Sequence, residues 1–171
     1  MKEITFGNYN GTQLTWLVLA EENDKCLLIT KDCITEKAYN DNNGAVTWET
    51  CTLRTWLNDE FLNSTFSSVE QARIQTTTVS ADKNTEYSTN PGNATNDKVF
   101  LLSKTEANEY FSSNSARIAK YNGNSCWWWL RSPGGYQLLA AIADDDGDVV
   151  DYGLYVHYGF IGVRPALWVN L

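Results

Sequence analysis

Lys and Glu together occur 18 times in residues 1–120 and not once in residues 121–171. At the earlier density roughly seven would be expected, since both are common residues. Charge persists there as Asp: Asp144, Asp145, Asp146, Asp148 and Asp151 fall within eight positions. From Pro133 onward Gly, Asp and Tyr punctuate short β-type stretches. These lie around Leu138–Ala143, Asp148–Tyr152, Leu154–Tyr158 and Val163–Val169. Turn-forming Gly and Asp alternating with Tyr and Val describe turn-linked strands. Between Gly135 and Val163 only Gln137 belongs to the set Lys, Glu, Gln, Met and Trp. Every other residue has a codon ending in C. Exposed strands tolerate Lys, Glu and Gln, so folding does not impose this restriction. It points to how the DNA was written.

The rest of the chain predicts mixed secondary structure. Gln13–Ala20 and Lys25–Thr30 flank a polar stretch and read as a hairpin, after a short strand at Ile4–Phe6 stopped by Gly7. Leu53, Trp56, Leu57 and Phe61 share one helical face, so a helix is expected after Thr50 or Thr52. Val69–Ile74 suggests another turn or two, and Gln75–Val79 favours a strand. Ala81–Asp97 has no periodic pattern and reads as a surface insertion. Lys98–Leu102 is expected to resume as a strand. Ser103 with Glu106 is a capping box for a helix to about Phe111. Cys126–Arg131 reads as a buried strand or its approach. No internal repeat of fixed period occurs.

At 171 residues the chain suits one domain over residues 1–171. The net charge of −8 argues against nucleic acid and anionic membranes, which need Lys/Arg stripes. The four cysteines, Cys26, Cys33, Cys51 and Cys126, lack CxxC spacing, and His157 is the single histidine. A Cys/His metal site is therefore not expected. Free buried thiols are the default, with a disulfide open to an exported protein. The start MKEITFGNYN has no apolar signal core, and no run of 18 apolar residues exists. A phage particle, a cell surface reached through another module, and the cytoplasm all fit.

Two strings carry a resemblance. Trp128-Trp129-Leu130-Arg131-Ser132-Pro133-Gly134 and Gly162-Val163-Arg164-Pro165-Ala166-Leu167 bracket the restricted segment. Upstream stand Phe6-Gly7, Trp16, Val46-Thr47-Trp48-Glu49, Leu53-Arg54-Thr55-Trp56-Leu57-Asn58 and Asp97 to Ser103. Together they resemble the variable proteins of diversity-generating retroelements, in the bacterial and phage branch. The resemblance implies an α+β, C-type-lectin-like fold in the variant shared with formylglycine-generating enzymes. Mixed β-sheets, two or more helices and a long irregular C-terminal region would make it up. It also implies that a reverse transcriptase misreads template adenines, turning AAC codons into NNC codons. That set lacks Lys, Glu, Gln, Met and Trp, as the restricted segment does apart from Gln137.

By contrast with the family pattern, residues 135–161 form the expected ligand-binding region. Its variable positions are Tyr136, Leu138, Leu139, Ile142, Asp144, Asp145, Asp148, Val150, Asp151, Tyr152, Leu154, Tyr155, His157, Tyr158, Phe160 and Ile161. Gln137 breaks the codon rule and is expected to be fixed. Val149 and Val156 are expected to point inward, with Trp127 to Trp129 and Trp168 as a rigid floor. Tyr offers amphipathic contact area at low entropic cost, and Phe160 with the leucines would form an apolar patch. The Asp cluster would form a negative rim. The expected partner is a protein or cell-surface ligand, without cofactor or catalysis.

Other readings are weaker. Counted from Asp144, position 6 of a calcium loop is Val149 and position 12 is Tyr155, which fails the Gly and Glu requirement. A formylglycine-generating-type oxidase is disfavoured because no partner Cys follows Cys126. A single His in a segment expected to vary makes a poor general base. A lectin-like structural or adhesive module without diversification is the third class.

Overall fold

The computed structural model describes residues 1–170. It is a mixed α+β structure, mostly strands with a few short helices. The strands are β1 (Glu3–Tyr9), β2 (Thr12–Glu22), β3 (Lys25–Thr30), β4 (Thr35–Glu36), β5 (Thr77–Val79), β6 (Thr95–Asp97) and β7 (Ala119–Tyr121). They continue as β8 (Asn124–Cys126), β9 (Trp128–Pro133), β10 (Leu139–Ala143), β11 (Val149–Tyr155), β12 (Gly162–Val163) and β13 (Ala166–Asn170). An antiparallel sheet has the order β1-β2-β3-β13. A second has the order β11-β10-β9-β12-β4, in which β12 runs parallel to β9. β5 pairs with β6 and β7 with β8.

The expected hairpin forms, with β2 reaching Glu22 so that only Asn23 and Asp24 make the turn. Gly7 does not stop the first strand. β1 continues through it at positive φ, with a bulge between Thr5 and Asn8. A Cβ there would lie 2.5 Å from the Phe66 ring, so the bulge lets this aromatic close onto the strand.

The expected helical face forms over residues 52–65, with a π-helical turn at Leu57–Phe61 between α-helical turns. Leu53, Leu57 and Phe61 are buried along it. A shorter helix at Ser68–Arg73 follows. The Ser103 capping box starts the helix at Lys104–Tyr110. Lys98–Leu102 is not a strand. Asn58 takes the place of a strand neighbour: its Oδ1 accepts from the Lys98 and Val99 amides, and its Nδ2 donates to the Val99 carbonyl at 2.7 Å. Phe100 makes a single bridge to Ala166. Backbone groups satisfied by a side chain need no ladder.

One hydrophobic core joins both sheets through Trp16, Leu28, Leu167, Trp128, Trp129 and Val163. The blocks carrying the resemblance meet in it. Buried Asp97 accepts from Trp48 Nε1 at 3.0 Å, Arg54 Nε at 2.7 Å and Thr95 Oγ1 at 2.6 Å. Arg131 is buried; it forks onto Glu106 and donates to the Leu101 and Ser80 carbonyls. Arg164 is 1% exposed. Its guanidinium donates to the Thr30, Arg117 and Lys31 carbonyls and lies 4.8 Å from the Trp128 ring centroid. Burial pulls its pKa down to about 10, and the carbonyls and ring faces supply the negative charge that a carboxylate would.

Candidate functional site

Residues 135–161 form a loop, the β10–β11 hairpin and a second loop leading into β12. Their path is held mainly by the main chain. Gly134 and Gly135 amides donate to the Leu139 and Tyr152 carbonyls, and the Val156 amide to the Leu138 carbonyl. Lys37 and Asn40 amides donate to the Ile161 and Val156 carbonyls, tying the second loop to the segment around β4. Gly153 sits at φ +73° in the middle of β11, and a Cβ there would lie 2.0 Å from the Ala140 carbonyl oxygen. Only glycine fits that bulged register.

Side chains outside the variable set add to the hold. Asn84 is buried and its Nδ2 donates to the Pro133 and Asp151 carbonyls. Thr89 Oγ1 donates to the Gly134 carbonyl. Gln137, the residue that breaks the codon rule, accepts from the Asn90 amide and donates to the Asn90 and Val46 carbonyls. The aperiodic stretch 81–97 therefore buttresses the segment rather than standing off as an insertion.

Seven of the sixteen variable positions are exposed: Tyr136, Asp145, Asp148, Tyr152, Tyr155, His157 and Phe160. Six are half-buried: Leu138, Asp144, Val150, Asp151, Leu154 and Tyr158. The remaining three, Leu139, Ile142 and Ile161, are buried and cannot meet a ligand. Their expected outward orientation is corrected. β10 lies between β9 and β11 with both faces covered, so no side chain on it reaches water. Ile161 immediately precedes β12, itself interior to the sheet. The period-of-two argument needs one solvated face, which β11 keeps and β10 lacks.

The exposed rings form two clusters. Tyr152 meets Tyr136 and Tyr87 edge-on, with centroids at 5.8 and 5.9 Å. Tyr155, His157, Tyr158 and Phe160 form the second, with Phe160 stacked on Tyr158 at 5.2 Å. Tyr136 is 63% exposed and Phe160 56%. The desolvating neighbourhood, chiefly, and the adjacent phenols raise the Tyr152 hydroxyl above the ordinary phenol range.

The expected floor is partly corrected. Trp128 and Trp129 are buried on β9, beside Ala143 and Ile142 of the neighbouring β10 in the same sheet. Trp127 is 38% exposed and donates to Asp145 at 2.8 Å, so it belongs to the surface. Trp168 lies in β13, opposite Leu27 and beneath Lys25, in the other sheet. Val156 is buried, and Val149 is half-buried against the core. Tyr87 and Trp127 were outside the expected face. Tyr87 sits in an aperiodic stretch that gives no sign of direction. Trp127 sits in a run of three tryptophans, and the run itself does not say which of them faces out.

The Asp cluster is mostly engaged with the protein itself. Asp144 Oδ1 accepts from the Asp146 and Asp148 amides, closing the hairpin turn. Asp148 accepts from Asn114, and Asp151 lies 2.9 Å from Lys104 Nζ. Among the described residues no group of three or more His, Cys, Asp or Glu is placed to hold a metal ion. A cleft of about 540 Å³ lies away from the aromatic clusters, against Tyr9, Gln13, Lys31, Cys33 and Tyr121.

A family profile matches residues 23–171. The chain belongs to the DUF6273 family, described as a domain of unknown function. The DUF6273 match begins at the β2–β3 turn, so β1 and β2 precede it although they pair into the same sheet. Neither the curated proteins nor the solved structures gave a match. No helix among the described residues is long and apolar enough to cross a membrane.

Proposed function

We propose that this chain is a non-enzymatic binding module whose outward face, built on β11 and the loops around it, is diversified by retroelement-driven adenine mutagenesis. The C-type-lectin-like variant shared with formylglycine-generating enzymes is the fold we assign to it. The observation that carries the reading is the separation of roles within residues 135–161. Their backbone is held mainly by main-chain bonds and by Asn84, Thr89 and Gln137, while the rings of Tyr136, Tyr152, Tyr155, His157 and Phe160 point outward. A backbone that does not depend on its outward side chains tolerates their replacement.

Exposed tyrosines with no enclosing cavity suit a protein surface better than a small molecule. The partner is a protein with a basic or polar-aromatic face. Asp145, Asp146 and Asp148 at the turn are exposed carboxylates in reach of it.

Sequencing the DNA around the gene tests diversification. An imperfect repeat carrying adenines opposite the codons for the outward residues, beside a reverse transcriptase gene, is expected. Identical 135–161 segments across sister strains with no such repeat would leave a binding or adhesive module that does not diversify.

A further inference from the structure

Cys33 and Cys126 are 93 positions apart in the chain, and their sulfurs lie 3.1 Å apart. The sequence offered Cys126 no later partner, and the fold supplies an earlier one. Cys126 ends β8 opposite Ala119 of β7, and the neighbouring Lys120 carbonyl accepts from the Cys33 amide at 2.9 Å. Lys120 in turn donates its amide to Asp32. Both thiols are thus held by paired backbone. A bonded pair needs about 2 Å between sulfurs, so closure asks for only about 1 Å of approach.

We propose that Cys33 and Cys126 are a reversible disulfide site, closed by a low-molecular-weight disulfide such as glutathione disulfide, that locks the frame at the two ends of the candidate binding segment. Cys126 adjoins Trp127, whose carbonyl accepts from the Gly162 amide at 2.7 Å. Gly162 also packs on Cys33, with a built Cβ 2.5 Å from its sulfur. The pair therefore sits where the strand entering the segment and the strand leaving it meet. This placement does not depend on what the face binds.

The chemistry has a defined order. Cys126 is the more exposed of the two thiols and Cys33 is buried; their mutual contact, with burial added, pushes Cys33 well above its ordinary range and leaves Cys126 below its own. Cys126 thiolate attacks one sulfur of glutathione disulfide, forming a mixed disulfide and releasing one glutathione thiolate. Cys33, which lines the large cleft, loses its proton and attacks the Cys126 sulfur. The second glutathione leaves as thiolate. Two protein thiols are oxidised to one disulfide, and one glutathione disulfide is reduced to two thiols that take up the two protons. Cys26 and Cys51 are buried with no sulfur beside them, and burial pushes Cys51 up to about 12.

The test incubates the folded full chain in glutathione buffers of rising oxidised fraction and maps thiols by peptide mass spectrometry. One crosslink between Cys33 and Cys126 is expected, with loss of two hydrogens, reversal by dithiothreitol and a Tm rise of about 5–15 °C. Cys33→Ser should stall with glutathione on Cys126, and Cys126→Ser should leave Cys33 unmodified while the protein stays folded. A crosslink through Cys26 or Cys51, or stable glutathione adducts without any crosslink, would overturn the site. Glutathione on Cys33 in the C126S chain at the wild-type rate would overturn the order of attack.

Discussion

β10 and β11 are partners in one hairpin, drawn from the same codon-restricted segment, yet they have opposite surroundings. β10 is buried from Leu139 to Ala143 and is made only of Leu, Ala and Ile. β11 carries Tyr152 and Tyr155 into solvent and bulges around Gly153. The difference follows from sheet position. β10 has a hydrogen-bonded neighbour on each side and the core against it, whereas β11 is the sheet's edge. A shared codon restriction therefore does not mean equal tolerance of substitution in the protein. Position in the sheet decides which substitutions can survive.

The largest effect should come from β10 and the residue before β12. Ile142→Ala and Ile161→Ala each remove a fully packed side chain and are expected to lower unfolding free energy by about 2–4 kcal/mol, read by urea denaturation. A cost below about 1 kcal/mol at both would break the contrast, because it would make the buried positions as permissive as the outer ones. Next comes Gly153→Ala, which meets the Ala140 carbonyl and forces a side chain into the left-handed region. It should cost about 1–3 kcal/mol by the same measurement.

Smaller is the buttress. Gln137→Ala removes hydrogen bonds that tie residues 90 and 46 to the segment. About 1 kcal/mol of stability should be lost, with faster amide exchange around residues 84–93. Unchanged exchange there would show that the aperiodic stretch holds itself. The smallest effects belong to the outer strand and loop: Tyr136→Ser and Tyr155→Ser should each stay within about 0.5 kcal/mol of the parent. Larger losses would mean that the aromatic clusters are structural.

Much of the frame was legible from local pattern. The Leu53–Phe61 face, the Ser103 capping box and the β2–β3 hairpin rest on contacts within a few residues, which periodicity and capping chemistry report. What escaped depends on contacts far apart in the chain. Asn58 serves a backbone 40 residues away, which removed the expected strand at Lys98–Leu102. Asn84 and Gln137 turn an apparently loose stretch into a support. At the candidate site, composition marked the segment, and contrast with the family pattern picked out Tyr152 and Tyr155. It misplaced Leu139, Ile142 and Ile161 because a single strand does not show whether one or both of its faces will be covered. Cys33 and Cys126 gave no sequence signal at all, since their meeting depends on where the β7–β8 hairpin docks.

The permissive face is tested most directly by one chain in which Tyr136, Tyr152, Tyr155, His157 and Phe160 are all replaced by Ser. Its thermal melt and its hydrogen exchange across β10 and β11 would be compared with the parent. A Tm within about 4 °C and unchanged protection of β10 amides are expected if the main chain keeps its path without those rings. Cooperative loss of protection through the hairpin, with a Tm drop of about 10 °C or more, would show that the rings hold the structure and that the face is not free to vary.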